Sequence, residues 1–348
     1  MKILNLNKVI NDKPFIIAEI SANHQQSKIK AKKLIDIASD SGANAVKFQT
    51  FTPESLTLNS NDKNFVLKQD SNWSGRSLYD LYTEAATPFE WHEELFAYAK
   101  ERRLIPFTSV FSIKDIPFLE SLDLQIYKIA SYEANDIELV EEVAKIGKPI
   151  IMSIGGCTEN EVKKSVKILK KYLNNNFAVL NCLSSYPAPL KEFSFGRTTR
   201  FKDEFKVTTG LSDHSNSSDA ALITLALGGM IFEKHIMLED KNSTKPLDKD
   251  FSASKNEFKV YVDSINDSYS SLGQNKFQPM DSEGSNVILK RSIYSTENID
   301  IGEKFTRNNT RSIRPSNGLH PHSYKKLLTM KSKRRIKANS PIKESDIA

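Results

Sequence analysis

Residues 15–50 read FIIAEISANHQQSKIKAKKLIDIASDSGANAVKFQT. The first seven, FIIAEIS (15–21), are a short run of β-branched and aromatic side chains, and AVKFQT (45–50) is a second such run. Between them KIKAKKLIDIASDSGA has the period of an amphipathic helix, with Ile29, Leu34, Ile37 and Ala38 predicted on one apolar face. Strand, helix and strand make one βα unit of a parallel sheet. The same alternation continues to about Gly273 through IPFTSVF (105–111), IYKIASY (126–132), PIIMSIG (149–155), FAVLNCLSS (177–185), KVTTGLS (206–212) and MIFEKHI (230–236). TENEVKKSVKILKKYL, with Val162, Val166 and Leu169 on one face, is another of the intervening helices. Eight units closing on themselves predict an α/β fold of the (β/α)8 barrel type over residues 1–273. An open doubly wound sheet would want a glycine-rich loop after the first strand, and ISANHQQ has none.

Thr87-Pro88-Phe89-Glu90 reads as a helix start, with threonine as cap, proline at the first helical position and glutamate three residues after the cap; the helix is expected to run to about Arg103. Thr52 to Arg76 is too long for a plain βα connection, which usually takes ~2–6 residues, and reads as a lid or insertion. After Gly273 the pattern changes. A polar linker is expected over 274–284, and RSIYST, the turn NIDIGE and TRSIRP predict a separate small domain over 285–348.

Apolar residues make up 39% and charged residues 26%, enough for a packed interior and far from the composition of a disordered chain. Lysine and arginine number 49 against 43 acidic residues, a net charge of +6 that suits acidic substrates. Lys325, Lys326, Lys331, Lys333, Arg334, Arg335 and Lys337 crowd the tail, but no stacking aromatics interleave with them, which argues against nucleic acid. Cys157 and Cys182 show no zinc spacing and build no disulfide framework; a reducing, cytoplasmic setting is expected. The opening residues lack a signal core, and no stretch of ~18 apolar residues predicts a membrane span.

An unusual number of polar residues fall at the carboxyl ends of the strands, where barrels of this type carry their chemistry: Glu19, Lys47, Gln49, Ser109, Lys128, Ser131, Glu133, Ser153, Tyr186, Ser212, Asp213, His214 and His235. A strand-borne lysine is costly to bury alone, so Lys47 and Lys128, flanked by serines, imply an anionic partner such as a phosphate or carboxylate. The bland alternative pairs each lysine with a nearby glutamate. His214 and His235 end neighbouring strands and could share one divalent ion, with water, substrate oxygen or Glu19 completing it; each could equally be a hydrogen-bonded core histidine. His92 lies on a helix and is read as structural, and His24 has no ligand geometry.

Several segments, FIIAEISANH, GANAVKFQT, YKIASYEAND, GKPIIMSIGG, SSYPAP, GLSDHS, EKHIML and, in the tail, RSIRPSNGLHP, resemble the nonulosonic acid synthases, which condense phosphoenolpyruvate with an N-acetylated amino sugar. The resemblance covers nearly the whole chain. It implies that the small domain has the antifreeze-like (SAF) fold. TPESLTLNS, LYDLYTEAATPFEWH, SYEAND and RPSNGLHP look closer to the pseudaminic acid branch, whose sugar is a diacetamido trideoxyaltrose, than to the N-acetylneuraminate or legionaminic acid branches. Position by position, it implies that His214 and His235 hold a divalent metal, manganese before magnesium or cobalt. Phosphoenolpyruvate would sit among Lys47, Ser109, Lys128, Ser131, Ser153, Tyr186 and Ser212, and the sugar against Glu19, Gln49, Glu133 and Asp248. Arg314 would reach the barrel mouth of a second subunit in a domain-swapped homodimer. Ile154, Val110 and Ser184 depart from the residues usual in the family. Two rival readings are a Schiff-base aldolase using Lys128 and a sugar-binding module without catalysis.

Overall fold

The computed structural model describes residues 5–6, 13–67, 73–239, 245–273 and 277–348. Eight parallel strands close into a barrel: β1 (Phe15–Glu19), β2 (Ala45–Thr50), β3 (Ile105–Val110), β4 (Tyr127–Ile129), β5 (Ile150–Ser153), β6 (Phe177–Cys182), β7 (Thr208–Asp213) and β8 (Ile231–His235). The last strand returns to the first, with Phe15 opposite Ile231 and Glu19 opposite His235. Helices α1 (Lys28–Ser41), α2 (His92–Glu101), α3 (Ile116–Ser121), α4 (Ile137–Lys145), α5 (Glu159–Leu173), α6 (Gly196–Phe205), α7 (Asp219–Ala226) and α8 (Lys255–Leu272) follow the strands in turn. Among the described residues no helix is long and apolar enough to cross a membrane.

Alternation along the strands divides the interior into a floor and a mouth. Phe15, Ile17, Ala45, Phe107, Ile151, Ala178, Leu180 and Ile231 pack together as an apolar floor. One pleat further on, the same inward series reaches Glu19, Lys47, Ser109, Ser153, Cys182 and Glu233. Residues of opposite parity, among them Ile16, Ala18, Val46, Phe48 and Phe232, pack outward against the helices.

Some local expectations are corrected. Ile29 is 71% exposed, while the buried stripe of α1 runs through Ala31, Leu34, Ile35 and Ala38. Five residues before Leu34, Ile29 lies ~140° away around the helix, off that stripe. The Thr87 cap does not form: its hydroxyl lies 3.1 Å from His24 Nε2, Phe89–Trp91 makes a 3-10 turn, and α2 ends at Glu101. The strand expected over 126–132 is only Tyr127–Ile129, because the chain turns at once into the mouth. The insertion holds a short helix, Pro53–Leu56, and a 3-10 turn, Lys63–Phe65; its residues 68–72 lie outside those described.

The chain divides into two compact units, Met1–Gly273 and Gln274–Ala348. In the second, β9 (Ser292–Ser295) and β10 (Thr310–Ile313) pair antiparallel, and Ile293, Ile299, Phe305, Leu327, Ile336 and Ile342 form the core. Of the expected linker, residues 274–276 lie outside those described, and from Asp281 the chain winds as a 3-10 helix to Leu289 rather than running as an open connection.

Candidate active site

Two buried lysines and two buried glutamates meet at the centre of the barrel mouth. Lys47 Nζ contacts Glu19 Oε2, donates to Ser109 Oγ at 3.1 Å and lies 3.7 Å from Glu233 Oε1. Lys128 Nζ donates to Ser153 Oγ at 2.7 Å and to the Ile129 carbonyl at 3.0 Å, and is 4.0 Å from Glu233 Oε1. Ser212 Oγ donates to the same Glu233 oxygen at 3.0 Å. Burial works against the Glu233 charge, but Lys128 and Lys47 outweigh it and hold the carboxyl below the usual range. Lys128 goes the other way: burial lowers its ammonium from the ordinary value despite Glu233. Each lysine thus has a carboxylate within reach, as the bland alternative has it, and both line the mouth.

Beside Lys128 the loops after β4 and β5 interlock. Ser131 Oγ accepts from the Gly155 amide at 2.9 Å. A methyl group built at Gly155 would stand 2.2 Å from Ser184 Oγ, 3.0 Å from Cys182 Sγ and 3.1 Å from Ser131 Oγ. Gly155→Ala is therefore expected to disturb all three side chains while leaving the barrel folded. Titration with inorganic phosphate should show affinity for an anion at the mouth reduced about tenfold or more, as for loss of one or more charge-assisted contacts.

The two imidazoles lie on the other side of the mouth, with ring centroids 5.3 Å apart. His214 Nδ1 is 3.1 Å from the Leu183 carbonyl and 3.8 Å from Cys182 Sγ. A carbonyl only accepts, so Nδ1 carries a proton, and in the neutral ring Nε2 is the nitrogen with the lone pair. His235 Nδ1 lies 3.3 Å from Asp248 Oδ2, a contact not aligned as a hydrogen bond; both atoms are buried without one. Carboxylate or carbonyl behind Nδ1 is the usual setting of a metal-binding imidazole. Among the described residues no group of three or more His, Cys, Asp or Glu side chains stands in ligating arrangement, so these would be two protein donors with further positions left to water or substrate. The donor chemistry, two imidazoles each backed by an acceptor at Nδ1, fits a divalent ion.

Of the remaining expected residues, Tyr186 packs against His214 and Phe251, with centroids 4.6 and 4.9 Å away, and burial raises its phenol. Gln49 follows Lys47 inward, half-buried, and pairs in register with Ser109. Burial pushes the Glu133 carboxyl up to about 7, and one of its oxygens has no hydrogen bond. Asp213 ends β7 but contacts Lys234 and Ser215 rather than the mouth. His24 and His92 are buried and bonded to Thr87 and Thr50, and burial lowers each to about 4, which suits structural roles. Arg314 belongs to the second unit, where it lines an open groove with Lys290, Arg291 and His320.

Three residues escaped the sequence reading. Glu233 follows from strand alternation, two residues before His235 on the same face. Asn23 gives no such signal: its amide donates to the Ile236 carbonyl and Ser252 Oγ, both at 2.8 Å, and accepts from the Asp248 amide at 3.3 Å, tying three loops together. Phe251 meets both imidazoles edge-on.

The NeuB family model matches residues 34–277 and the SAF domain model residues 290–348. A pseudaminic acid synthase of Campylobacter jejuni is 41% identical over 346 residues, 99% of either chain. One from Helicobacter pylori is 38% identical over 336 residues, covering 96% of this chain and 98% of that one. The crystal structure of an N-acetylneuraminic acid synthetase from Leptospira borgpetersenii in complex with citrate superposes with a TM-score of 0.69 at 28% identity, over 80% of this chain and 91% of that one. A match across most of the barrel, and relatives this similar over their full length, make the chain a member of the NeuB family.

Proposed function

We propose that this chain condenses phosphoenolpyruvate with an open-chain N-acetylated amino sugar, releasing phosphate and forming the nonulosonic acid pseudaminic acid. The observation that carries this reading is the juxtaposition at one mouth of two buried lysines that donate to serine hydroxyls and two imidazoles backed by acceptors. Identity of 41% to a pseudaminic acid synthase, against 31% to a diacetyllegionaminic acid synthase, supports the pseudaminic branch.

In this reading Lys47, Lys128, Ser109, Ser131, Ser153 and Ser212 bind phosphoenolpyruvate and hold its C3 over the aldehyde carbon, so that proximity supplies much of the rate. His214 and His235 would hold a divalent ion, manganese, which when bound would supply polarisation of the sugar carbonyl. As C3 forms the new bond, the aldehyde π-bond opens onto its oxygen and C2 becomes cationic; water adds there, one of its protons passing through Glu19 to the new alkoxide, and the tetrahedral centre gives up the other as it expels phosphate by C–O cleavage, leaving the C2 ketone. Gln49, Glu133, Asp248 and Tyr186 orient the sugar. Arg314 serves the mouth of a second copy of the chain, its planar fork suited to the acetamido carbonyl. The site of action is the cytoplasm.

Phosphate release is to be followed over a panel of acetamido hexoses, with and without manganese. Turnover of the diacetamido trideoxyaltrose alone, and only with metal, is the expected result; N-acetylmannosamine as the preferred substrate overturns the branch. A Glu133 carboxyl that titrates near 7 also has a kinetic signature: kcat/KM should show an inflection close to that pH, absent in Glu133→Gln.

A further inference from the structure

Behind the imidazoles lies a second set of charges that the chemistry above leaves unused. Ser212, Glu233 and His235 face the mouth, whereas Asp213 and Lys234 take the opposite parity and face the helical layer, 0% and 4% exposed. Lys234 Nζ donates to the Ser215 carbonyl and stands 3.6 Å from Asp213 Oδ2, with the ring of Tyr261 from α8 5.6 Å away. Asp213 Oδ1 accepts from the Ser215 amide at 2.8 Å. One residue, the one directly after His214, is thus gripped at both its N–H and its C=O by a buried ion pair.

Stability alone does not explain such a pair. Desolvating two charges costs several kcal/mol per ion, and apolar replacements of similar size are often neutral or stabilising. We propose that Asp213 and Lys234 are positioning residues: they fix the turn at Ser215 and so aim the His214 imidazole, whose far side is held by the Leu183 carbonyl on the neighbouring loop. The proposal rests on the role given above to His214. It concerns neither lysine of the anion site, so phosphoenolpyruvate binding should not depend on it.

The test is the apolar double variant Asp213→Leu/Lys234→Met, read by melting temperature, amide hydrogen exchange of the peptide containing Ser215, and steady-state kinetics. Expected are a melting temperature at or above the parent's, faster exchange at Ser215, kcat lower by about tenfold to a hundredfold, as for residues that orient a ligand side chain, and an unchanged KM for phosphoenolpyruvate. Parental exchange at Ser215 overturns the proposal. Fast exchange with parental kcat overturns it when His214→Ala is inactive; when His214→Ala is itself active, the failure belongs to the role of His214. Should the double variant not fold, Asp213→Ala removes the acceptor for the Ser215 amide and the charge beside Lys234. It should move exchange and kcat in the same directions, and parental values of both overturn the proposal.

Discussion

Replacing His235 or His214 by alanine is expected to lower turnover at least about a hundredfold, because the divalent ion proposed for them would polarise a carbonyl, an effect worth several kcal/mol, and each ~1.4 kcal/mol is a factor of ten. The fold should survive. His235 ends β8 and His214 directly follows β7, neither fills the floor, and the apolar series below them is untouched. Phosphate release, manganese content and melting temperature are to be measured on each purified variant. Loss of turnover and of metal with a parental melting temperature is the expected pattern. Undiminished phosphate release by either variant after chelation would remove the metal from the reaction.

The second large effect concerns Glu233, the acid between two lysines. Glu233→Ala leaves Lys128 without its nearest carboxylate and Lys47 with Glu19 alone. Removing one partner of a buried ion pair typically costs ~3–5 kcal/mol, so urea denaturation at neutral pH should show a loss of that order. A phosphate dianion can take the place of the missing charge, and inorganic phosphate should stabilise the variant more than the parent. The pH dependence has a definite sign. The folded-state value of Glu233 lies below the ordinary glutamate value, so its contribution is present above that value and disappears as acid protonates the folded carboxylate. Acidification should therefore narrow the gap between parent and variant. Equal stability at neutral pH would mean that the lysines do not need this carboxylate.

Much of the barrel is legible in the sequence because parallel strands are buried on both faces and leave short apolar runs between helical periods. The polar strand ends were legible for the same reason: Lys47 and Lys128 interrupt runs that are otherwise apolar. Facing was harder. In Glu233-Lys234-His235 every residue is polar, so the run does not declare which of them points inward; only the register with β1 and β7 does. Asp248 and Asn23 lie on loops whose course no periodicity announces, and Asp248 entered only through family resemblance. Thr87 misled because its local pattern is that of a cap, while the buried imidazole of His24 claims its hydroxyl.

The pairing of β8 with β1 closes the barrel, and it has a consequence for the chain during its synthesis. Glu19 and Lys47 leave the ribosome early, whereas Glu233 emerges roughly 200 residues later, which at ~5–20 residues per second is ~10–40 s. Throughout that interval β1 is an open edge, a template for pairing with other chains. Glu19 closes that strand with a charge, and a charged residue on an exposed edge is one of the devices that discourage pairing with an apolar strand.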